Sequence, residues 1–240
     1  MPFSPSLLAD FSSLVLLGAF LSLDRQACGP FMLGRPLVTG LFLGLAVGRV
    51  DLGVWMGLSA ELLWLATLPL GGQIIPNSSL AVSAAFIAWE KSGLAPAEGR
   101  DAIIGAEATL VIAFMTVPVW AKAMSLIDLG CRRLIPPILA LARADLDRGR
   151  EPHFMRRNLY GLFFQLALSG AVLAVAAQIN IQVIRAAVGL APHDILTTLA
   201  FLFDILPFMG LLGMAVFLEP RSFPFYLGGL LASLLALSAV

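Results

Sequence analysis

The sequence predicts an all-α protein that crosses a membrane several times and contains broken or re-entrant helices. Three observations lead to this fold class. Of the 240 residues, 59% are hydrophobic and only 12% are charged, whereas a typical soluble domain has about 25% charged residues. The mean hydropathy of +0.93 reflects more apolar surface than a soluble fold of this length could bury. Strand-type alternation is absent over any long stretch, so the membrane spans are expected to be helices.

Several runs are long and apolar enough to be considered as spans, which need about 20 mostly apolar residues. The first, 6–23, follows a stretch without Lys or Arg and precedes no clear A-x-A cleavage site. We therefore expect a retained helix there and not a signal peptide. The other candidates are 36–50 with a continuation from 52 to 70, 78–90, 101–127, 159–189, 195–217 and 222–240.

A basic segment divides the single membrane domain, 1–240, into two halves. Seven of the 15 basic residues lie between Arg132 and Arg157, and the positive-inside rule places such a loop in the cytoplasm. This loop, 132–157, separates an N-terminal half, 1–131, with broken polar helices from a C-terminal half, 158–240, with longer apolar runs. Within the loop, LALARADLDRGREP predicts a short amphipathic helix closed by a Gly and a Pro. The net charge of zero argues against a nucleic-acid surface.

Two stretches of the N-terminal half combine polar residues with helix breakers. They are SLDRQACGPFMLGRP, residues 22–36, and AELLWLATLPLGGQIIPNSS, residues 60–79. Broken backbone at membrane depth must be packed in protein or line a wet cavity. Interrupted segments of this kind are the best sequence indicator of a transporter's substrate site. The breaks expected near that site are Gly29, Pro30, Pro36, Gly71, Gly72 and Pro76.

Glu61 has apolar residues on both sides of it. A carboxylate near the bilayer centre costs at least about 2.5 kcal/mol, which makes Glu61 a candidate for function. The alternative is a structural partner for an arginine such as Arg25, Arg35 or Arg49.

On a helix, Glu61 and Trp64 share a face. A carboxylate accepts hydrogen bonds from sugar hydroxyls, and an indole offers a flat apolar face. Without Glu61 beside it, Trp64 would indicate core packing or an interfacial position.

Amide and charged side chains complete the predicted site. Gln73 and Asn77 are neutral donor–acceptor groups that suit hydroxyl recognition, although Asn77 is equally suited to cap the next helix. Asp24, Arg25 and Gln26 are either solvated in a turn or part of the site, and the second broken element favours the site. The predicted substrate-binding residues are Asp24, Arg25, Gln26, Glu61, Trp64, Gln73 and Asn77.

Two isolated features lie outside this set. Asp204, in an apolar run three residues before Pro207, is expected either to face the bundle interior or to bond to backbone freed by the proline. His153 and His193 lack the neighbours of a phosphorylation or metal site.

The sequence has no phosphate loop, no H-E-x-x-H and no G-x-S-x-G motif, which disfavours an ATPase or a metalloprotease. We expect no metal, no cofactor and no catalytic residues.

Two motifs in the N-terminal half resemble the membrane component IIC of the mannose/fructose/sorbose family of bacterial sugar phosphotransferase systems. They are DRQACGPFMLGRPLVTGLFLGLAVGRVDLGVWMG and, after it, AELLWLATLPLGGQIIPN. The resemblance covers roughly residues 15–80 and rests on two ordered motifs. The chain departs from the family pattern at Cys28, Pro30, Gly34, Ala66 and Ile75. The resemblance implies a sugar-translocating, multi-pass subunit of the bacterial inner membrane, which binds a hexose-type sugar and delivers it for phosphorylation on the cytoplasmic side.

The resemblance also implies partners. They are a second membrane subunit, IID, with which the chain would form an oligomer, and the cytoplasmic phosphocarriers IIA and IIB. Phosphoenolpyruvate would be the ultimate phosphoryl donor, and IIC itself would carry no phosphate. Two alternatives remain open at this point. One is a stand-alone proton-coupled carrier that uses Glu61 or Asp204, and the other is a membrane scaffold that transports nothing.

Overall fold

The computed structural model describes residues 10–25, 31–64, 76–94, 100–151 and 153–215, and all regular structure in them is helical. The all-α prediction is therefore confirmed for this part of the chain. The helices are α1 (Phe11–Ser22), followed by a 3-10 turn (Leu23–Arg25), α2 (Pro36–Val47), α3 (Val50–Trp64), α4 (Ser78–Lys91), α5 (Arg100–Met115), α6 (Val117–Asp147), α7 (Phe154–Leu190) and α8 (His193–Ala215). The predicted span 222–240 lies outside the described residues.

Few of the described helices are long enough to cross a bilayer by themselves. By length and composition, α7 qualifies with 37 residues, and the pair Gly105–Met115 and Val117–Arg133 qualifies as a second span bent by 40°. Helices α1 and α2 have 12 residues each, which gives about 18 Å at 1.5 Å per residue. The hydrocarbon core is about 30 Å thick. The N-terminal half therefore contains the short, interrupted helices that the sequence predicts.

Helices α2 and α3 form a tight hairpin packed through glycines. A Cβ added to Gly40 would lie 2.2 Å from the Gly53 carbonyl oxygen, and one added to Gly53 would lie 2.3 Å from the Gly40 carbonyl oxygen. Each helix carries a G-x-x-x-G motif, which lets two helix backbones approach closely. Gly48, in the left-handed conformation at φ 78°, ends α2 and starts the return. The hairpin thereby brings the start of α2 beside the end of α3.

Helix α4 occupies the centre of the molecule. Every residue from Ser78 to Trp89 is buried, and the helix packs against α1, α2, α3, α5, α6 and α7. Its composition is rich in Ser and Ala, which allows close approach from all sides. Because α4 is central, its N-terminal cap, Asn77, lies deep in the protein at 2% exposure.

The basic segment 132–157 is mostly helical. Helix α6 runs on to Asp147, so the helix predicted within this segment is the end of α6, and Gly149, at φ 66°, lies in the turn that follows. Helix α7 begins at Phe154, and Arg157 forms an ion pair with Asp145 across the turn. The loop expected from the clustered charges is thus a helical hairpin with a short connection, because Leu and Ala recur at helical spacing among the arginines. Its cytoplasmic location stays a prediction.

Helix α8 contains Pro207 in its interior. A proline has no N–H to donate to the carbonyl four residues earlier, here that of Phe203. The indole Nε1–H of Trp55, on α3, donates to this carbonyl at 3.0 Å. The donor to the freed backbone is therefore Trp55 and not Asp204. Asp204 is exposed on α8.

Candidate functional site

The two broken elements converge, although the structure describes only part of each. Gln26, Gln73, Gly29, Pro30, Gly71 and Gly72 lie outside the described residues. The described members of the predicted binding set are Asp24, Arg25, Glu61, Trp64 and Asn77.

Asp24 lies in the 3-10 turn after α1 and binds backbone of the first broken element. Its Oδ1 accepts a hydrogen bond from the Phe31 N–H at 2.9 Å, and its Oδ2 accepts one from the Gly34 N–H at 3.2 Å. A carboxylate bonded to two backbone donors holds the returning chain in place. In this structure Asp24 therefore fixes the path toward α2.

Arg25 connects the first broken element to the second. Its Nη1 donates to the Pro76 carbonyl oxygen at 3.0 Å, and its Nη2 lies 3.7 Å from Oδ2 of Asp128 on α6. The Arg25 side chain is 21% exposed and that of Asp128 is 7% exposed. This largely buried cation has a counter-charge and a backbone acceptor, which offset the cost of removing it from water.

Asn77 caps α4, which confirms the capping interpretation. Its Oδ1 accepts from the Leu80 N–H at 3.3 Å, its Nδ2 donates to Oδ1 of Asp128 at 3.2 Å, and its backbone N–H donates to the Ala121 carbonyl at 2.9 Å. The amide is thus bonded to protein groups on both its oxygen and its nitrogen. Direct recognition of a hydroxyl by Asn77 stays a prediction.

Glu61 forms an ion pair with Arg35, which confirms an arginine partner and selects one of the three expected. Oε1 lies 2.9 Å from Nη1 of Arg35, and Oε2 accepts from the Leu37 N–H at 3.4 Å. The carboxylate lies at the N-terminus of α2, where the helix dipole favours negative charge. Arg35 is 54% exposed and Glu61 is 18% exposed. Arg35 is therefore the solvent-accessible member of the pair, and Glu61 is mostly buried.

Two further contacts attach the site to the rest of the protein: the packing of Trp64 and the hydrogen bond between Thr39 and Ser79. Trp64, one turn beyond Glu61 on α3, is half-buried against the hydrophobic core. The hydroxyls of Thr39 on α2 and Ser79 on α4 lie 2.8 Å apart and are buried. The hairpin that carries Glu61 is thus bonded to the helix that Asn77 caps.

The sequence reasoning missed Asp128. It lies in SLIDLG, directly after the predicted span 101–127, and therefore outside the apolar runs in which an isolated acid is expected to be functional. Its signal was the one used for Glu61, an isolated acid between apolar residues. Within the described residues, no group of three or more His, Cys, Asp and Glu side chains could hold a metal ion.

Comparisons with known proteins agree with this architecture. A family model described as "PTS system sorbose-specific iic component" matches residues 11–240. A solved chain described as "Structure of membrane protein" has a TM-score of 0.66 and 17% identity, over 95% of this chain and 90% of that chain. A chain of "CryoEM Structure of Mannose Transporter ManYZ and Microcin E492 (MceA) complex" has a TM-score of 0.53 and 16% identity, over 100% of this chain and 92% of that one. No curated protein matches the chain.

Proposed function

Because the chain belongs to the sorbose-specific IIC component family of the phosphotransferase system, we propose that its two broken elements form the sugar-binding site. The protein is the IIC component of a mannose-family sugar phosphotransferase system and a multi-pass protein of the bacterial membrane. The observation that carries the proposal is the bond from Arg25 to the Pro76 carbonyl at 3.0 Å. It joins the two elements that contain the polar residues and the helix breaks.

The Arg35–Glu61 pair is the part of this site that contacts the sugar. A carboxylate accepts hydrogen bonds and a guanidinium donates them, so the pair matches the mixed donor and acceptor character of a hydroxyl. Charge-assisted hydrogen bonds are about twice as strong as neutral ones. Trp64, one helical turn beyond Glu61, adds an apolar face for the sugar ring. Gln26 and Gln73 supply further neutral donors and acceptors in this proposal.

Asp24, Arg25 and Asn77 have a different role in the proposed site. Asp24 and Arg25 are bonded to backbone of the broken elements, and Asn77 connects the second element to the start of α4. They hold the interrupted chain around the sugar and keep free backbone groups available to it. The binding geometry is then fixed by rigid neighbours before the sugar arrives.

The sugar is hexose-type, and transport requires further subunits. A related chain belongs to a complex described as a mannose transporter, ManYZ. We propose an IID membrane subunit as the obligate partner in an oligomer, with IIA and IIB delivering phosphate from the cytoplasm. The arginine-rich hairpin between α6 and α7 would face that compartment, in agreement with the positive-inside rule.

Uptake of radiolabelled hexoses tests the proposal. Sorbose, mannose, fructose and glucose are supplied to cells that lack their own sugar phosphotransferase systems and express this chain with its IID, IIA and IIB. We expect uptake of at least one hexose, and Glu61→Gln should reduce its initial rate about tenfold or more. The control is Glu90→Gln, because Glu90 is a half-buried glutamate at the far end of α4, about 20 Å along the helix from Asn77.

Two results would overturn the proposal. One is the absence of uptake of every hexose although all subunits are present in the membrane. The other is normal uptake in Glu61→Gln and in Trp64→Ala at wild-type membrane abundance. The first result rejects the transport function, and the second rejects only this location for the site.

A further inference from the structure

We propose that Asp128 is a positioning residue that holds Arg25 and Asn77 in the orientation that the sugar site requires. This inference rests on the proposed sugar site. Asp128 lies on α6, outside both broken elements, and reaches one residue from each of them. Asp128 therefore links the two elements from outside, in addition to the Arg25–Pro76 bond and the Arg35–Glu61 pair that join them directly.

Both carboxylate oxygens of Asp128 have a partner in the site. Oδ2 lies 3.7 Å from Nη2 of Arg25, and Oδ1 accepts from Nδ2 of Asn77 at 3.2 Å. Seven residues earlier on α6, the Ala121 carbonyl accepts from the Asn77 backbone N–H at 2.9 Å. Positions seven apart lie on one face of a helix. Helix α6 therefore contacts the second element at two points and leaves Asn77 little freedom to turn.

The charges around Arg25 favour a carboxylate at the position of Asp128. Arg35 and Arg132 are close enough to Arg25 to repel its charge, and Asp128 attracts it. Arg35 is paired with Glu61, so that carboxylate is engaged elsewhere. A largely buried cation that loses its counter-charge is strongly destabilised and turns toward water. If Asp128 were neutral, Arg25 would therefore tend to release the Pro76 carbonyl and separate the two elements.

Loss of this arrangement should affect sugar affinity more than the maximal rate. Groups that bind a ligand equally in its ground and transition states affect KM, whereas kcat changes little when they are displaced. We expect Asp128→Asn to raise the apparent KM for the transported hexose about tenfold, because the charge-assisted contact between Asp128 and Arg25 is lost. The maximal rate per transporter should stay within about threefold of the wild-type value.

The first measurement needs no sugar. Membranes containing the full complex are treated with p-hydroxyphenylglyoxal, an arginine-selective reagent, and modification of the peptide containing Arg25 is followed by mass spectrometry. We expect Asp128→Asn to accelerate modification of Arg25 about fivefold or more, because the freed guanidinium becomes accessible. Asp128→Glu keeps the charge and should remain close to wild type. The matched control is Asp145→Asn, which removes another ion-paired aspartate from the same helix.

The second measurement combines Asp128→Asn with Arg25→Gln in a double-mutant cycle on the hexose KM. If Asp128 acts through Arg25, the double variant should be no worse than Arg25→Gln alone. If Asp128→Asn does not accumulate in the membrane, the double variant should restore accumulation, because it removes both members of the buried charge pair. Failure of that recovery contradicts the pairing.

Other outcomes separate this inference from the proposed function. Unchanged Arg25 modification and unchanged KM in Asp128→Asn, with impaired uptake in Glu61→Gln, would reject only the positioning role. Multiplicative effects in the double-mutant cycle would reject it as well. Normal uptake in both Glu61→Gln and Trp64→Ala, together with faster Arg25 modification in Asp128→Asn, would support the structural pairing but reject the sugar site on which its function depends.

Discussion

Trp55 and Phe203 are joined by two interactions. Their rings stack with centroids 4.3 Å apart and planes at 8°, and the indole N–H donates to the Phe203 carbonyl at 3.0 Å. That carbonyl has no intrahelical donor because Pro207 follows four residues later. The α2–α3 hairpin is therefore attached to α8 at the point where the proline interrupts the helix.

Trp55→Phe should destabilise the protein by about 1–3 kcal/mol, since it leaves the Phe203 carbonyl without a donor while retaining an aromatic ring. Combining it with Pro207→Ala should recover part of this loss, because an alanine at that position supplies the missing N–H within α8. The measurement is the thermal unfolding midpoint of the purified protein in lipid nanodiscs.

The matched control for this rescue is Trp89→Phe. The Trp89 indole is buried, whereas that of Trp55 is half-buried, and it donates to the Thr109 hydroxyl at 3.1 Å. Pro207→Ala should therefore give no recovery in the Trp89→Phe background. Equal recovery in both backgrounds would show that Pro207→Ala acts by general helix stabilisation and would refute the link to Trp55.

Gly53→Ala should disrupt the α2–α3 hairpin. The new Cβ would lie 2.3 Å from the Gly40 carbonyl oxygen, and two packed backbones cannot yield as a flexible side chain could. We expect a loss of about 1–3 kcal/mol or more, seen as reduced folded yield in size-exclusion chromatography after membrane extraction. Gly161→Ala, on α7, has no neighbouring atom within 4 Å and should be neutral or slightly stabilising. Equal yields for the two variants would contradict the close glycine packing.

Thr39→Val should cost about 1–2 kcal/mol, because it leaves the buried Ser79 hydroxyl without its partner across the α2–α4 contact. Adding Ser79→Ala removes that orphaned group as well. The double variant should therefore be less destabilised than the sum of the two single variants. The measurement is the thermal unfolding midpoint of the wild type, the two single variants and the double variant. If the losses in stability of the two single variants simply add, the 2.8 Å contact between the hydroxyls contributes nothing to stability.

Reversing charges should separate the structural role of Glu61 from its proposed binding role. Arg35→Glu or Glu61→Arg alone places like charges beside each other and should cost up to about 1 kcal/mol, because the exposed Arg35 side chain is screened by water. The double reversal restores opposite charges and places an acid at the N-cap of α2, where the helix dipole favours it. We expect most of the stability to return without the hexose uptake. Recovery of uptake would show that the site needs only an ion pair, in either orientation.

The isolated polar groups of the N-terminal half could be interpreted from the sequence because charge within an apolar run is costly and rare. That reasoning singled out Glu61, with an arginine partner as one of two interpretations, and it offered a helix cap as one of two interpretations of Asn77. It could not choose Arg35 over Arg25, because the choice depends on the hairpin that places residue 35 beside residue 61. The bond from Arg25 to Pro76 spans 51 positions, and no local pattern records such a contact.

Segment boundaries were the weaker part of the sequence prediction. Asp128 lies one residue beyond the predicted span 101–127 and is therefore not predicted, although, like Glu61, it is an isolated acid between apolar residues. The charges from Arg132 onward predicted a loop, whereas α6 continues to Asp147. Charge marks where a segment meets water and does not mark where a helix ends, since a helix can continue beyond the membrane.

The burial of α4 has a consequence for the order in which the protein assembles. Helix α4 is synthesised before α5, α6 and α7, which cover it, so its surface stays uncovered until these neighbours exist. Its Ser83 hydroxyl donates to the Ser79 carbonyl within the same helix at 2.9 Å, which limits the cost of that exposure. At the C-terminal end of α4, the Ser92 carbonyl oxygen accepts a hydrogen bond from the Arg185 guanidinium on α7 at 3.0 Å. The centre of the molecule is therefore completed only after most of the chain has left the ribosome.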